Sequence, residues 1–269
     1  MEREYLGSRL FKFQIMSIDI NSNEISKFQR YEFKYLLPAN IADSIQENIE
    51  NFMTLDPNIP KGSSSYFVRS QYFENEIFSN FYEKVDGMRK RHKYRLRTYA
   101  DNPSSNTPLF LEKKGRKLER TMKGRIKINP EHLDYIYSMD SDKLLNYYGK
   151  NGFMEGFIFD YFRKKLKPTI IIDYNRSPYM SEFDTNFRLT FDRNIRACIP
   201  YGSKSIFCEE KDQYWENVNP GYCTLEVKFL RRFPPWFRRI IQNYNLRRLS
   251  ISKFSTGIEA RGLASDTGV

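Results

Sequence analysis

Charged side chains recur at every second position in several stretches of this sequence, and that spacing is where chemistry can be read. In Lys93-Tyr94-Arg95-Leu96-Arg97, an extended strand puts Lys93, Arg95 and Arg97 on one face and Tyr94 and Leu96 on the other. Stacked cations repel, so such a strand calls for an anionic ligand or for carboxylates on neighbouring strands. The alternation returns in Arg30-Tyr31-Glu32-Phe33-Lys34-Tyr35, Leu111-Glu112-Lys113-Lys114-Gly115-Arg116, Arg188-Leu189-Thr190-Phe191-Asp192 and Leu225-Glu226-Val227-Lys228-Phe229. Lys123, Arg125 and Lys127, with Thr121, likewise face away from Met122, Gly124, Ile126 and Ile128.

These residue types suit phosphoryl transfer. That reaction needs charge placed against phosphate oxygens and reactants held in line rather than a protein nucleophile. Arginine grips two phosphate oxygens with its planar fork, and lysine acts as a point charge. The carboxylates Glu32, Glu112 and Glu226 have two readings: ion pairs with their basic neighbours, or ligands for a hard divalent cation, Mn2+ or Mg2+, completed by substrate phosphates. Glu226, between apolar Leu225 and Val227, is the strongest ligand candidate. Other chemistries lack their parts. The sequence holds no G-x-x-x-x-G-K-[S/T] loop and no G-x-G-x-x-G, and its 2 histidines, His92 and His132, fit no triad or zinc spacing.

Strands with charges on one face and aromatics on the other can form an open sheet with one wet face. A closed antiparallel barrel accounts better for the wealth of Arg, Lys and Glu on the polar face: charges inside around an anion, apolar groups outside beneath helices. Helices interrupt the strands throughout, giving an α+β unit. Ile41, Ile45, Ile49 and Phe52 predict a helix after Pro38, with Asn40 as its N-cap. Further helices are predicted over 75–85, 130–148 with a break near Asp140, 153–166, and from Trp236 to Tyr244 behind Pro234-Pro235. Strands are predicted over 66–74, 109–117, 120–128, 169–175, 187–196, 206–209 and 225–229. Residues 1–26 read as an extension, with Met16 an alternative start, residues 27–260 as one domain, and 261–269 as a disordered tail.

Lys plus Arg number 44 against 33 for Asp plus Glu, a net charge of +11 that points to a polyanionic partner. Aromatics and cations lie on opposite parities, which disfavours a nucleic-acid sheet, where both share one face. The three cysteines, Cys198, Cys208 and Cys223, form no CxxC pair and read as free thiols; with no signal peptide and no membrane-length apolar run, the chain reads as cytoplasmic.

At the charged strands the sequence resembles the polyphosphate polymerase domain of the vacuolar transporter chaperone (VTC) family, within the CYTH or triphosphate tunnel metalloenzyme superfamily. The matching pieces are Arg30-x-Glu32-x-Lys34-Tyr35, Ser70-x-Tyr72-Phe73-Glu74, Lys93-Tyr94-Arg95-Leu96-Arg97-x-Tyr99, Leu111-Glu112-x-Lys114, Tyr174-x-Arg176, Arg188-x-Thr190-x-Asp192, Leu225-Glu226-Val227-Lys228 and Ser252-Lys253-Phe254-Ser255. The resemblance implies an eight-stranded antiparallel tunnel that binds triphosphate, and transfer of the ATP γ-phosphate to a growing polyphosphate chain with manganese or magnesium. By motif match, Arg95, Arg97, Lys114, Arg176, Arg188 and Lys253 would act on the reacting phosphates. Lys34, Arg30, Lys93, Tyr72, Lys123, Arg125, Lys228 and Ser252 would bind substrate, and Glu226, Glu32 and Glu112 would serve the metal. The hydrolases and cyclases of the superfamily open with Glu-x-Glu-x-Lys; Arg30 stands at the first position here, which leans toward the polymerase branch. A tunnel-type triphosphatase and a non-catalytic polyphosphate or nucleic-acid binder stay open as alternatives.

Overall fold

The alternating stretches all become strands. The protein is described by a computed structural model over residues 31–100, 107–117, 120–200, 205–208 and 214–266. Its strands are β1 (Tyr31–Pro38), β2 (Thr54–Leu55), β3 (Tyr66–Glu74), β4 (Lys90–Thr98), β5 (Leu109–Lys117), β6 (Arg120–Ile128), β7 (Lys167–Met180), β8 (Arg188–Cys198), β9 (Glu216–Asn217) and β10 (Tyr222–Phe229). Its helices are α1 (Ala39–Ile49), α2 (Ser79–Val85), α3 (Leu133–Ser138), α4 (Ser141–Tyr148), α5 (Phe153–Lys164), α6 (Pro235–Asn243) and α7 (Lys253–Ala260). The helix after β1 starts one residue beyond Pro38, which takes the N-cap place expected for Asn40. Ile206 and Phe207 form a turn instead of the expected strand.

One antiparallel sheet runs in the order β1-β10-β8-β7-β3-β4-β5-β6, with β2 added to β7 and β9 to β8. The expected closed eight-stranded barrel is not formed: the path stops at β6 and β1, and no ladder joins those two strands among the described residues. Other groups meet the free edge of β1. The Leu249 N–H donates to the Lys34 carbonyl at 2.8 Å, and the Lys34 ammonium donates to the Ile251 carbonyl at 3.1 Å. Residues 248–252 thus lie along that edge as an irregular strap. From the other end of the sheet, Lys114 and Lys123 reach Glu32 at 3.4 and 4.0 Å. With the Lys34 carbonyl already taken by the Leu249 N–H, that part of the β1 edge has no acceptor left in place for a β6 ladder.

The two sheet faces differ as parity requires. On the apolar face, Tyr35, Leu37, Leu189, Phe191, Leu225 and Val227 pack against α1 and α6. Tyr94, Leu96, Leu109, Leu111 and Ile128 pack against α3, α4 and α5. The expectation that helices cover only this outer face needs a second correction. Phe254 and Ile258 of α7, with Phe81 of α2, pack on Val68, Tyr72, Ile170, Ile172 and Tyr174, which share the charged face. Burying Phe254 and Ile258 there contributes about 1.5–3 kcal/mol each. Gly257 permits the close approach, since a Cβ at that position would meet the Ile172 side chain at 2.8 Å. Half of the polar face is therefore dry and helix-filled, and the other half is left open.

Candidate active site

Strand register assembles the open half. It sets Arg95 opposite Tyr72 and Glu112, and Arg97 opposite Ser70. The Arg95 Nε donates to Glu112 Oε2 at 2.8 Å and its Nη1 to the Tyr72 hydroxyl at 2.9 Å. Arg97 donates to Ser70 Oγ at 3.2 Å and to the Tyr174 hydroxyl at 3.1 Å. Each arginine is held at two or more of its nitrogens, which orients its remaining N–H groups. Glu112 sits in this pair: burial pushes its carboxyl up, but Arg95 and then Arg97 hold it down to about 2.

A second cluster forms where β7, β8, β10 and β1 meet. Arg176 lies opposite Asp192 and donates to both its carboxylate oxygens, at 2.6 and 2.7 Å. Lys253, the first residue of α7, also meets the fully buried Asp192, at 2.5 Å. Lys228 and Arg176 approach Glu226 Oε2 at 3.1 and 3.6 Å, and Lys34 approaches Oε1 at 3.5 Å. Burial would raise the Glu226 carboxyl, but Lys228, Lys34 and Arg176 outweigh it and hold the group well below its ordinary range. Between the clusters, Lys93 stands opposite Lys114, and Lys114 opposite Lys123. Lys93 donates to Ser252 Oγ at 3.4 Å and lies over the Phe254 ring. Burial first, then Lys114, Lys34 and Arg95, push its ammonium well below the usual range. Together these residues enclose a cavity of about 1030 Å³.

Glu32 and Glu226 are within hydrogen-bonding reach of each other, and both are held below the ordinary carboxylate range despite burial. Two ionised carboxylates side by side fit a hard divalent cation, which would draw the rest of its ligands from water or phosphate oxygens. Glu112 does not fit that site, because Arg95 and Arg97 occupy it. Among the described residues, no cluster of three or more His, Cys, Asp or Glu side chains is placed to hold a metal.

The family model of the VTC domain matches residues 29–261. The chain belongs to the VTC domain family. A comparison with curated proteins gives no significant match. Among solved structures, the PH1819 protein from Pyrococcus horikoshii OT3 is similar at 14% identity, over 85% of this chain and 99% of that one, with a TM-score of 0.45. A Bacillus halodurans protein described as a "putative adenylate cyclase" is similar at 12% identity, over 84% of this chain and 94% of that one, with a TM-score of 0.47.

Within this VTC domain, the cavity is lined by Lys34, Tyr72, Lys93, Arg95, Arg97, Lys114, Lys123, Arg125, Arg176, Lys228, Ser252 and Lys253, and by the carboxylates Glu32, Glu112 and Glu226. Arg188 is apart from them. It shares the register row of Lys228 at the start of β8, but its Nε turns to the Thr185 carbonyl at 3.3 Å and the side chain does not line the cavity. Arg30, and separately Met16 with the rest of the 1–26 extension, lie outside the described residues, as do residues 267–269 of the expected tail. Lys113, of opposite parity to Lys114, turns to Asp160 at 3.2 Å and lies over the Tyr94 ring. Two features of the site went unassigned in the sequence. Asp192 anchors Arg176 and Lys253, and its place in the Arg188-x-Thr190-x-Asp192 alternation was the available signal. The strap residues Arg248, Leu249, Ser250 and Ile251 also line the cavity, and no periodicity marks them. Among the described residues, no helix is long and apolar enough to cross a membrane.

Proposed function

We propose that this VTC domain is a cytoplasmic polyphosphate polymerase, an ATP-polyphosphate phosphotransferase that moves the γ-phosphoryl group of ATP onto the end of a growing inorganic polyphosphate chain. The observation that carries the reading is the ring of cations on one wet sheet face, in which Arg95 and Arg176 are each anchored by a carboxylate. Such a cavity suits linked phosphates, whose charge recurs along the chain.

A terminal phosphate oxygen of the acceptor attacks the γ-phosphorus, the bond from that phosphorus to the β,γ-bridging oxygen breaks, and ADP leaves. The phosphate oxyanion is itself the nucleophile, so the protein supplies position and charge. Arg95 and Arg176 are preorganised by Glu112 and Asp192, so their free N–H groups need little rearrangement to meet the oxygens of the transferring group. Lys34, Lys114 and Lys228 add point charges, and Ser252 is placed to donate a hydrogen bond. Glu226 and Glu32 are the residues that would hold Mn2+ or Mg2+, which when bound supplies Lewis-acid charge to the phosphate oxygens. The α7 side chains on the dry half of the face keep water from one side of the reacting groups.

The test is the product made from ATP and Mn2+ by purified protein, resolved by size. Long, acid-insoluble phosphate chains are the expected result. ADP with free phosphate alone would replace the polymerase with a tunnel-type triphosphatase, and binding of polyphosphate without ADP release would replace it with a non-catalytic binder.

A further inference from the structure

Away from the cation cavity, on the opposite face of the sheet, two thiols meet. Cys198 ends β8 opposite Ile171, and Cys208 follows a turn whose position is fixed from several sides. The Ile206 N–H donates to the Tyr137 hydroxyl at 2.7 Å, the Ile206 carbonyl accepts from Arg69 at 3.3 Å, and the Cys208 N–H donates to the Ser205 carbonyl at 3.2 Å. Ile206 itself is fully buried. These contacts press Cys208 against Cys198 in a small core with Ile171 and Trp215, and the two thiols are within hydrogen-bonding reach.

We propose that Cys198 and Cys208 form a peroxide-sensitive thiol pair that closes to an intrachain disulfide. The reading does not depend on the polymerase assignment. Reactivity falls to Cys208 first. It keeps 6% of its surface exposed while Cys198 has none. The neighbouring Cys198 thiol, against the opposing effect of burial and with help from Arg69, lowers the Cys208 thiol, whereas burial pushes Cys223 up to about 12. Thiolate is the reacting form. The Cys208 sulfur attacks one oxygen of hydrogen peroxide, the O–O bond breaks, and the leaving hydroxide takes up a proton to become water. Cys208 is then a sulfenic acid. The Cys198 thiol gives up its proton as its sulfur attacks the Cys208 sulfur, the S–O bond breaks, and a second water leaves. Both sulfurs are oxidised and the peroxide is reduced. The bridge fastens the end of β8 to the Ser205–Cys208 turn.

The experiment treats the folded wild-type protein with hydrogen peroxide, then alkylates it and maps peptides without reduction. The expected result is a Cys198–Cys208 crosslink within one chain that dithiothreitol reverses, with Cys223 still alkylated and losing its thiol at least about tenfold more slowly than Cys208. In Cys198→Ser, dimedone should trap a sulfenic acid at Cys208; in Cys208→Ser, Cys198 should stay reduced. Oxidation of Cys223 at the rate of Cys208, crosslinks only between chains, or all three thiols surviving would overturn the proposal. The wild-type map decides the matter even where a serine variant fails to fold.

Discussion

Removing Arg95 should damage this protein in two separable ways. Its guanidinium holds the Glu112 carboxylate at 2.8 and 2.7 Å. Glu112 is held down to about 2 from the ordinary 4.5, which corresponds to about 3 kcal/mol of differential interaction with its cationic neighbours. In Arg95→Ala that carboxylate keeps Arg97, at 3.8 Å, and the weaker influence of Arg125 across the β5–β6 ladder. Folding stability should fall by about 3 kcal/mol, in keeping with the cost of stripping one partner from a buried pair, and Tm should drop by about 6–12 °C. Turnover should fall by about 100- to 1000-fold, the usual loss when a preorganised donor to a developing charge is removed. The double variant Arg95→Ala/Glu112→Gln separates the two effects. With no stranded charge, its Tm should return to within a few degrees of wild type, while turnover stays lost. Thermal melts followed by circular dichroism and ADP release from ATP give the two readings. A double variant that regains turnover would show that Arg95 only neutralises Glu112, and the assignment of this arginine to phosphate would be wrong.

Three further outcomes follow from the same geometry. Lys113→Ala should cost less than about 1 kcal/mol, as expected for a partly exposed ion pair to Asp160, and leave turnover near wild type, whereas Lys114→Ala should lower turnover at least about tenfold; equal damage in steady-state assays of the two would refute the parity argument. Glu226→Gln should flatten the manganese titration of activity, and an unchanged titration would remove Glu226 as a ligand. Because the folded pKa of Glu112 is depressed, its stabilisation is complete above about 4.5 and lost as pH falls toward about 2. Acid melts should therefore show wild type losing about 3 kcal/mol more than Glu112→Gln across that window, and parallel curves would contradict the pairing.

Strand parity was legible because a two-residue period has only two faces to choose between, and burial enforces the choice. It held from Glu32 and Lys34 through Glu226 and Lys228. It fails past Asn194, where a left-handed residue with φ of 52° and a register shift against β7 insert extra chain; beyond it, Ala197 joins the same face as Asp192 despite the odd spacing. Closure was not legible at all. Alternation says which way a side chain points, but not whether β1 and β6 meet, and the strap that covers the β1 edge has no periodic pattern to betray it. The α7 helix was hidden for a related reason. Its apolar residues are Phe254 and Ile258, one turn apart, among Ser255, Thr256 and Gly257, too few to outweigh the polar positions. It forms because those two rings and branches find a prepared apolar patch on the sheet, with Ser252 capping its first turn.

That helix bears on the proposal that the cavity takes an anion. Arginines and lysines are treated differently there. Arg95 and Arg176 each hold a carboxylate through two nitrogens, Glu112 and Asp192, the latter shared with Lys253. The lysines crowd around Glu32 and Glu226, which cannot satisfy all of them. Lys114 shows the shortfall: burial, with Lys34 and Lys123 adding to it and Glu32 and Glu226 opposing, brings its ammonium down to about 7. Lys93, pressed by α7 into the same space, is also lowered, by burial first and then by Lys114, Lys34 and Arg95. A protein interior that carries more positive charge than its own acids offset is unfavourable as it stands. A ligand with several negative charges in line relieves that repulsion at many points at once, so the same imbalance that weakens the empty site strengthens the filled one.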